Sequence, residues 1–237
     1  PTFASAHNGL GAALRGQGDS EEALQHHIQA LEGQPNNHLM RNNYANTLMV
    51  LGRTDEAVEQ YSIALENAPG DADTLYNLGV LFESQEQMDR ACNNYEKVLK
   101  TTPNHPGANF NLGKVFSSMG QLDTAIEKFK KVIEVTPDRV DAYVSLGHVL
   151  WMSGDKKAAE DYWHQALGID IEHADAHVNL ALLSFEQGSI SDGWKRFEWR
   201  DKAESYKSPH RHFPQPKWDG SPLNGKEIIL WGEMGLG

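Results

Sequence analysis

The 237-residue chain carries 33 acidic and 21 basic side chains, a formal net charge of -12. That balance argues against nucleic acid and anionic membrane surfaces as partners, since both need a basic footprint. No run of about 18 apolar residues exists to span a membrane. The single cysteine, Cys92, excludes an internal disulfide and fits a reducing, cytoplasmic setting.

From the start of the chain the same residue types return every 34 positions. Gly11, Ala45, Gly79, Gly113, Gly147 and Ala181 form one small-residue series, and Ala23, Ala57, Ala91, Ala125 and Ala159 form another. Pro35, Pro69, Pro103 and Pro137 form a third. A fixed period of roughly 20–50 residues marks a solenoid that grows unit by unit, so length does not count domains.

Each unit reads as two amphipathic helices joined by a tight turn. In the unit from Pro106 to Arg139, Phe110, Gly113, Val115 and Phe116 recur at helical spacing until Gly120 interrupts. Ala125, Ile126, Phe129, Val132 and Ile133 then recur until Pro137 stops the second helix. The interrupting glycine returns as Gly18, Gly52, Gly154 and Gly188, where left-handed backbone would close the first helix. Asp19-Ser20, Thr54-Asp55 and Asp123-Thr124 open second helices, where a capping oxygen or a carboxylate is favoured.

Three series of large residues make the expected core. They are Leu10, Tyr44, Leu78, Leu112, Leu146 and Leu180; then His27, Tyr61, Tyr95, Phe129, Trp163 and Phe197; then Leu31, Leu65, Leu99, Ile133 and Leu167. The small residues let the two helices of a unit approach, and stacked neighbours bury what one unit alone cannot. Five units keep the pattern. The sixth departs at Ile171, Ser184, Gly193 and Arg200, and reads as a degenerate cap.

These series resemble the tetratricopeptide repeat family over residues 4–203. The resemblance rests on Leu10-Gly11, Leu78-Gly79, Leu112-Gly113 and Leu146-Gly147 and on the alanine, aromatic and proline series. It implies an all-α, right-handed superhelix of antiparallel helix hairpins. It also implies a concave groove, lined by the first helices, that binds a protein or extended peptide. Either end of the stack could also self-associate.

The residue before the leucine-glycine pair is Asn43, Asn77, Asn111 and Asn179, with Ser145 between them and Gly9 at the start. An asparagine side chain both donates and accepts, so an in-phase stripe could hold a peptide through its backbone. The stripe is similar to the asparagine ladder of O-linked N-acetylglucosamine transferases, whose repeat groove carries protein substrates. The alternative is that these asparagines are repeat consensus, solvated or bonded to the neighbouring unit. Asn46, Lys114 and His148 lie one turn onward and are too mixed to name a ligand.

No catalytic constellation, metal site or cofactor motif is expected in the repeats. The eleven histidines, His173 and His177 or His26 and His27 included, lack zinc-like spacing and read as helix-surface residues. Cys92, beside Ala91, reads as a packed small side chain and not a nucleophile.

After about residue 203 the composition changes. Residues 204–225 read as a proline-rich linker containing Pro209, Pro214, Pro216 and Pro222. Lys226 to Trp231 read as one short strand, running into a loop with Gly232, Gly235 and Gly237. Gly193-Trp194, Phe197-Glu198-Trp199-Arg200, Phe213-Pro214-Gln215-Pro216, Trp218-Asp219-Gly220 and the final loop resemble a junction in bacterial proteins. There, tetratricopeptide repeats join a GT-B, heptosyltransferase-like glycosyltransferase domain, which here would be a truncated start at 226–237. The resemblance implies that Gly232, Gly235 and Gly237 belong to a nucleotide-sugar or acceptor loop, and that the repeats recruit substrate for a parent enzyme. This chain itself is expected to perform no catalysis. Beginning at Pro1, it is expected to be a fragment or a processed chain. The alternative for the tail is a cloning remnant or a cover for the last helices, with Phe213 and Trp218 over the apolar end.

Overall fold

A computed structural model describes residues 2–206. Six helical hairpins follow one another. They are α1 (Thr2–Gln17) with α2 (Ser20–Gly33), α3 (His38–Val50) with α4 (Thr54–Asn67), and α5 (Ala72–Ser84) with α6 (Met88–Thr101). Then come α7 (Pro106–Ser118) with α8 (Leu122–Val135), α9 (Val140–Met152) with α10 (Lys156–Ile169), and α11 (Ala174–Glu186) with α12 (Ile190–Phe197). Two 3₁₀ turns, Glu198–Lys202 and Glu204–Tyr206, end the described chain. No strand occurs among the described residues. The strand expected at 226–231, the loop bearing Gly232, Gly235 and Gly237, and residues 207–225 of the proline-rich segment all lie outside them.

One backbone device closes the first helix of every hairpin. The Asp19 N–H donates to the Leu14 carbonyl at 3.0 Å, and Arg53, Gln87, Gln121, Asp155 and Ser189 repeat this bond at the same phase. This is a six-to-one helix closure, which needs a left-handed residue before the donor. Gly18, Gly52, Gly120, Gly154 and Gly188 supply it with φ between 72° and 98°. Glu86 takes the same conformation in the third hairpin, with φ of 60°.

The helix starts differ from the sequence expectation. Asp19 makes no side-chain cap, and Thr54 and Asp123-Thr124 lie inside the first turns of α4 and α8. Their carboxylates sit near helix N-termini, where the macrodipole favours negative charge, without closing a capping bond. Side-chain caps occur on the first helices instead. Asn37, Asp71, His105 and His173, all in one phase, accept the N–H of Met40, Thr74, Ala108 and Ala176. His105 and His173 are thus helix caps. Among second helices, Asp155 caps α10.

The core is the contact between a small residue on a first helix and an aromatic on its partner. A Cβ placed on Gly79 would lie 2.6 Å from the Tyr95 ring, one on Gly113 2.8 Å from Phe129, and one on Gly147 2.5 Å from the Trp163 indole. Tyr61, Tyr95, Phe129 and Trp163 are buried, as are Ala30, Ala64, Val98, Val132 and Ala166 one helical turn later. The neighbouring series Leu31, Leu65, Leu99 and Ile133 is only half-buried. Leu10 departs from the expected core: it is 47% exposed, whereas Leu78, Leu112, Leu146 and Leu180 are buried. Its helix is the first of the described stack.

The sixth hairpin ends early for a packing reason. Arg200 occupies the phase of the fully buried Ala30, Ala64, Val98, Val132 and Ala166. A guanidinium cannot be buried there without a partner, so α12 stops at Phe197 and the 3₁₀ turns bring Ala203 into the core. Gly193 makes room for the Phe185 ring, which packs edge-on against Trp194 and Phe197.

His27 holds the aromatic position of the first hairpin and is fully buried, not a surface histidine. Neither ring nitrogen has a hydrogen-bond partner among the described residues. Burial, with the Arg15 and His26 charges nearby, lowers its pKa from 6.5 to about 4.

Two outcomes follow. Replacing Gly113 with Leu forces side-chain atoms into Phe129 and lowers stability by about 1–3 kcal/mol, read as a lower urea midpoint; an unchanged midpoint would contradict this packing. Between pH 6.5 and about 4 the unfolded chain binds a proton at His27 that the folded chain refuses. Stability supplied by neutral His27 is therefore complete above that window and falls through it by on the order of 3 kcal/mol. His27→Phe should flatten this part of the melting-temperature profile, and a variant profile as steep as the parent's would exclude His27 as the cause.

Candidate functional site

The first helices of the hairpins touch one another directly: α1 with α3, α3 with α5, α7 with α9, and α9 with α11. The second helices make no comparable contacts among themselves. The stack therefore curves with its first helices inside, and residues recurring on them share one inner face.

The asparagine stripe lies half-buried on these helices. Asn43 donates through Nδ2 to Asn8 Oδ1 at 3.1 Å, and Asn77 donates in the same way to Asn42 Oδ1 at 3.1 Å. Asn111 donates to the Tyr95 hydroxyl at 2.9 Å. So three of the four asparagines bond within the stack, each to the preceding hairpin. None uses its own Oδ1 as an acceptor among the described residues, and one amide hydrogen of each also remains. Asn179 makes no side-chain hydrogen bond among the described residues.

Sequence reasoning missed the partners Asn8 and Asn42. Their signal is a second in-phase asparagine pair, one residue ahead of Gly9 and Asn43. It also missed a network at the centre of the face. The Tyr95 hydroxyl donates to Glu83 Oε2 at 2.7 Å while accepting from Asn111, and Lys114 pairs with Glu83 Oε1 at 2.8 Å. Burial first, then the Glu83 carboxylate, raises the Tyr95 pKa. Nothing in the period announces this network, because Glu83 is matched in phase by Arg15, Met49, Ser117, Trp151 and Phe185.

The remaining expected residues are dispersed. Asn46 accepts a hydrogen bond from the Tyr61 hydroxyl. His148 lies against Trp151 with ring centroids 5.9 Å apart, and desolvation lowers its pKa. Lys114 on α7 and His148 on α9 belong to the first helices of successive hairpins and share no bonding partner among the described residues. At the far end Asp175 of α11 receives the backbone N–H groups of Glu204 and Ser205 at 3.1 and 3.0 Å, and the Ser205 hydroxyl. Burial pushes this carboxyl up, but those bonds and nearby His173 hold it below its ordinary value.

No group of three or more His, Cys, Asp or Glu side chains among the described residues could hold a metal ion. Burial raises the Cys92 thiol pKa, which leaves it a poor nucleophile. No helix among the described residues is long and apolar enough to cross a membrane. The inner face offers amide donors and acceptors.

Three family models match parts of the chain. One described as the N-terminal TPR repeats region of Psidin matches residues 16–131, one for the TPR repeat matches 116–154, and one for the tetratricopeptide repeat matches 4–26. These models identify tetratricopeptide repeats over residues 4–154. No curated protein matches the sequence. Among solved tetratricopeptide-like folds, pilF of Pseudomonas aeruginosa is 22% identical with a TM-score of 0.72, over 86% of this chain and 89% of that one. MamA is 26% identical with a TM-score of 0.61, over 68% of this chain and 95% of that one. YrrB, described as a TPR protein with an unusual peptide-binding site, is 22% identical with a TM-score of 0.63, over 78% and 93%. The identities to pilF and YrrB establish likeness of fold.

Proposed function

We infer that the inner face binds a protein segment in extended conformation and performs no chemistry on it. The observation that carries this reading is the spare hydrogen-bonding capacity of Asn43, Asn77 and Asn111. Each is held in place by one donated bond, and among the described residues each keeps a carbonyl oxygen and an amide hydrogen without a partner. An amide oriented in advance can pair with a peptide backbone at little entropic cost. Asn179 extends the stripe, while Asn46, Lys114 and His148 would meet the side chains of the bound segment. The peptide-binding site named for YrrB supports the same use of this architecture.

A second reading makes the stack the substrate-recruiting part of a glycosyltransferase. It rests on the sequence of residues 193–237, most of which lies outside the described residues, and sugar-nucleotide binding by the chain would support it. Self-association through the ends is supported by exposed Phe3 and Leu10 on α1 and exposed Ile190 and Trp194 on α12.

The test selects a binding peptide from a random library against the full chain and then changes Asn77 and Asn111 together to Ala. Loss of two hydrogen bonds weakens binding about 10-fold or more, with helicity by circular dichroism unchanged. Unchanged affinity would remove the stripe from the binding site.

A further inference from the structure

A second site lies away from the asparagine stripe, between α10, α11 and α12. There the structure contains an open cavity of about 440 Å³, floored by Leu180 and lined by polar side chains from all three helices. One period earlier the corresponding space is filled. Leu150, Ile126, Ala158 and Tyr162 pack into a single core cluster with Leu146. In phase with these four stand Ser184, Glu160, Asp192 and Arg196, and all four line the cavity.

Two of these replacements break series that are otherwise apolar. Leu24, Val58, Cys92 and Ile126 precede Glu160, and Leu48, Phe82, Phe116 and Leu150 precede Ser184. The two polar residues face the same space from α10 and α11. A worn terminal repeat would scatter such changes over its surface. Here they coincide and open one cavity.

The charges in it are of both signs. Lys195 is paired with Asp192 at 3.3 Å, and the Ser184 hydroxyl donates to the Leu180 carbonyl at 2.8 Å. Glu160 and Arg196 are half-buried and line the cavity from α10 and α12, and neither forms an ion pair among the described residues. Partly buried charges without partners are costly and call for counter-charges. A ligand meeting both must carry a cation for Glu160 and an anion for Arg196.

We propose that this cavity binds a free α-amino acid, its ammonium on the Glu160 carboxylate and its carboxylate on the Arg196 guanidinium. A guanidinium can hold a carboxylate through two parallel hydrogen bonds, and Leu180 offers an apolar floor for the side chain. The volume falls within the ordinary range for small-molecule sites, about 300–1,000 Å³.

The test records amide proton–nitrogen spectra of the full chain with glycine, L-alanine, L-leucine, L-lysine and L-glutamate in turn, each up to about 10 mM. At least one should shift the amides of Ser184, Gln187 and Ser189 saturably, whereas acetate and methylamine should not. The double variant Glu160→Leu with Ser184→Leu restores the apolar filling of the other units, keeps the fold, and should abolish the shifts. Three results would overturn the proposal: no shift with any amino acid, shifts that survive in the double variant, or acetate alone reproducing them.

Discussion

The architecture depends on one close approach. In four of the six described hairpins a glycine on the first helix, Gly11, Gly79, Gly113 or Gly147, lies against the ring of His27, Tyr95, Phe129 or Trp163 on the second. A single methyl group added to any of these glycines would overlap the ring. This contact sets the distance between the two helices, and its repetition every 34 residues sets how the hairpins stack. Where the packing rule lapses, at Arg200 in place of a buried small residue, the second helix lasts only from Ile190 to Phe197.

From that packing follows the inner face. Hairpins drawn together on the side of their first helices bring Asn43 within reach of Asn8, and Asn77 within reach of Asn42. The asparagines thus serve the stack and remain half-available to a ligand. On the proposed reading the same amides that align the units would also meet a bound backbone, so scaffold and binding surface are hard to separate by mutation. This is why the double change at Asn77 and Asn111 must be read against helicity.

Much of this was legible in the chain. The period, the left-handed glycines at the turns, the small-against-aromatic core and the phase of the asparagine stripe depend on side-chain size and backbone conformation, which repeat with the units. What could not be read depends on one unit's particular neighbours. Leu10 is exposed on the first described helix, and Glu83 joins Tyr95, Asn111 and Lys114 through residues that no other described hairpin combines. The capping series Asn37, Asp71, His105 and His173 stands on the first helices, whereas α2, α4 and α8 carry no side-chain cap. Ser184 reads in sequence as mere degeneration; only the fold shows that Glu160 faces the same space.

The most direct measurement follows the side-chain amide resonances of the asparagines as a selected peptide is added. Asn43, Asn77 and Asn111 on first helices should shift together and saturate at one affinity, while Asn67 and Asn93 on second helices stay fixed. Shifts confined to Asn67 and Asn93, with the inner three unmoved, would place the peptide on the outer surface and contradict the account.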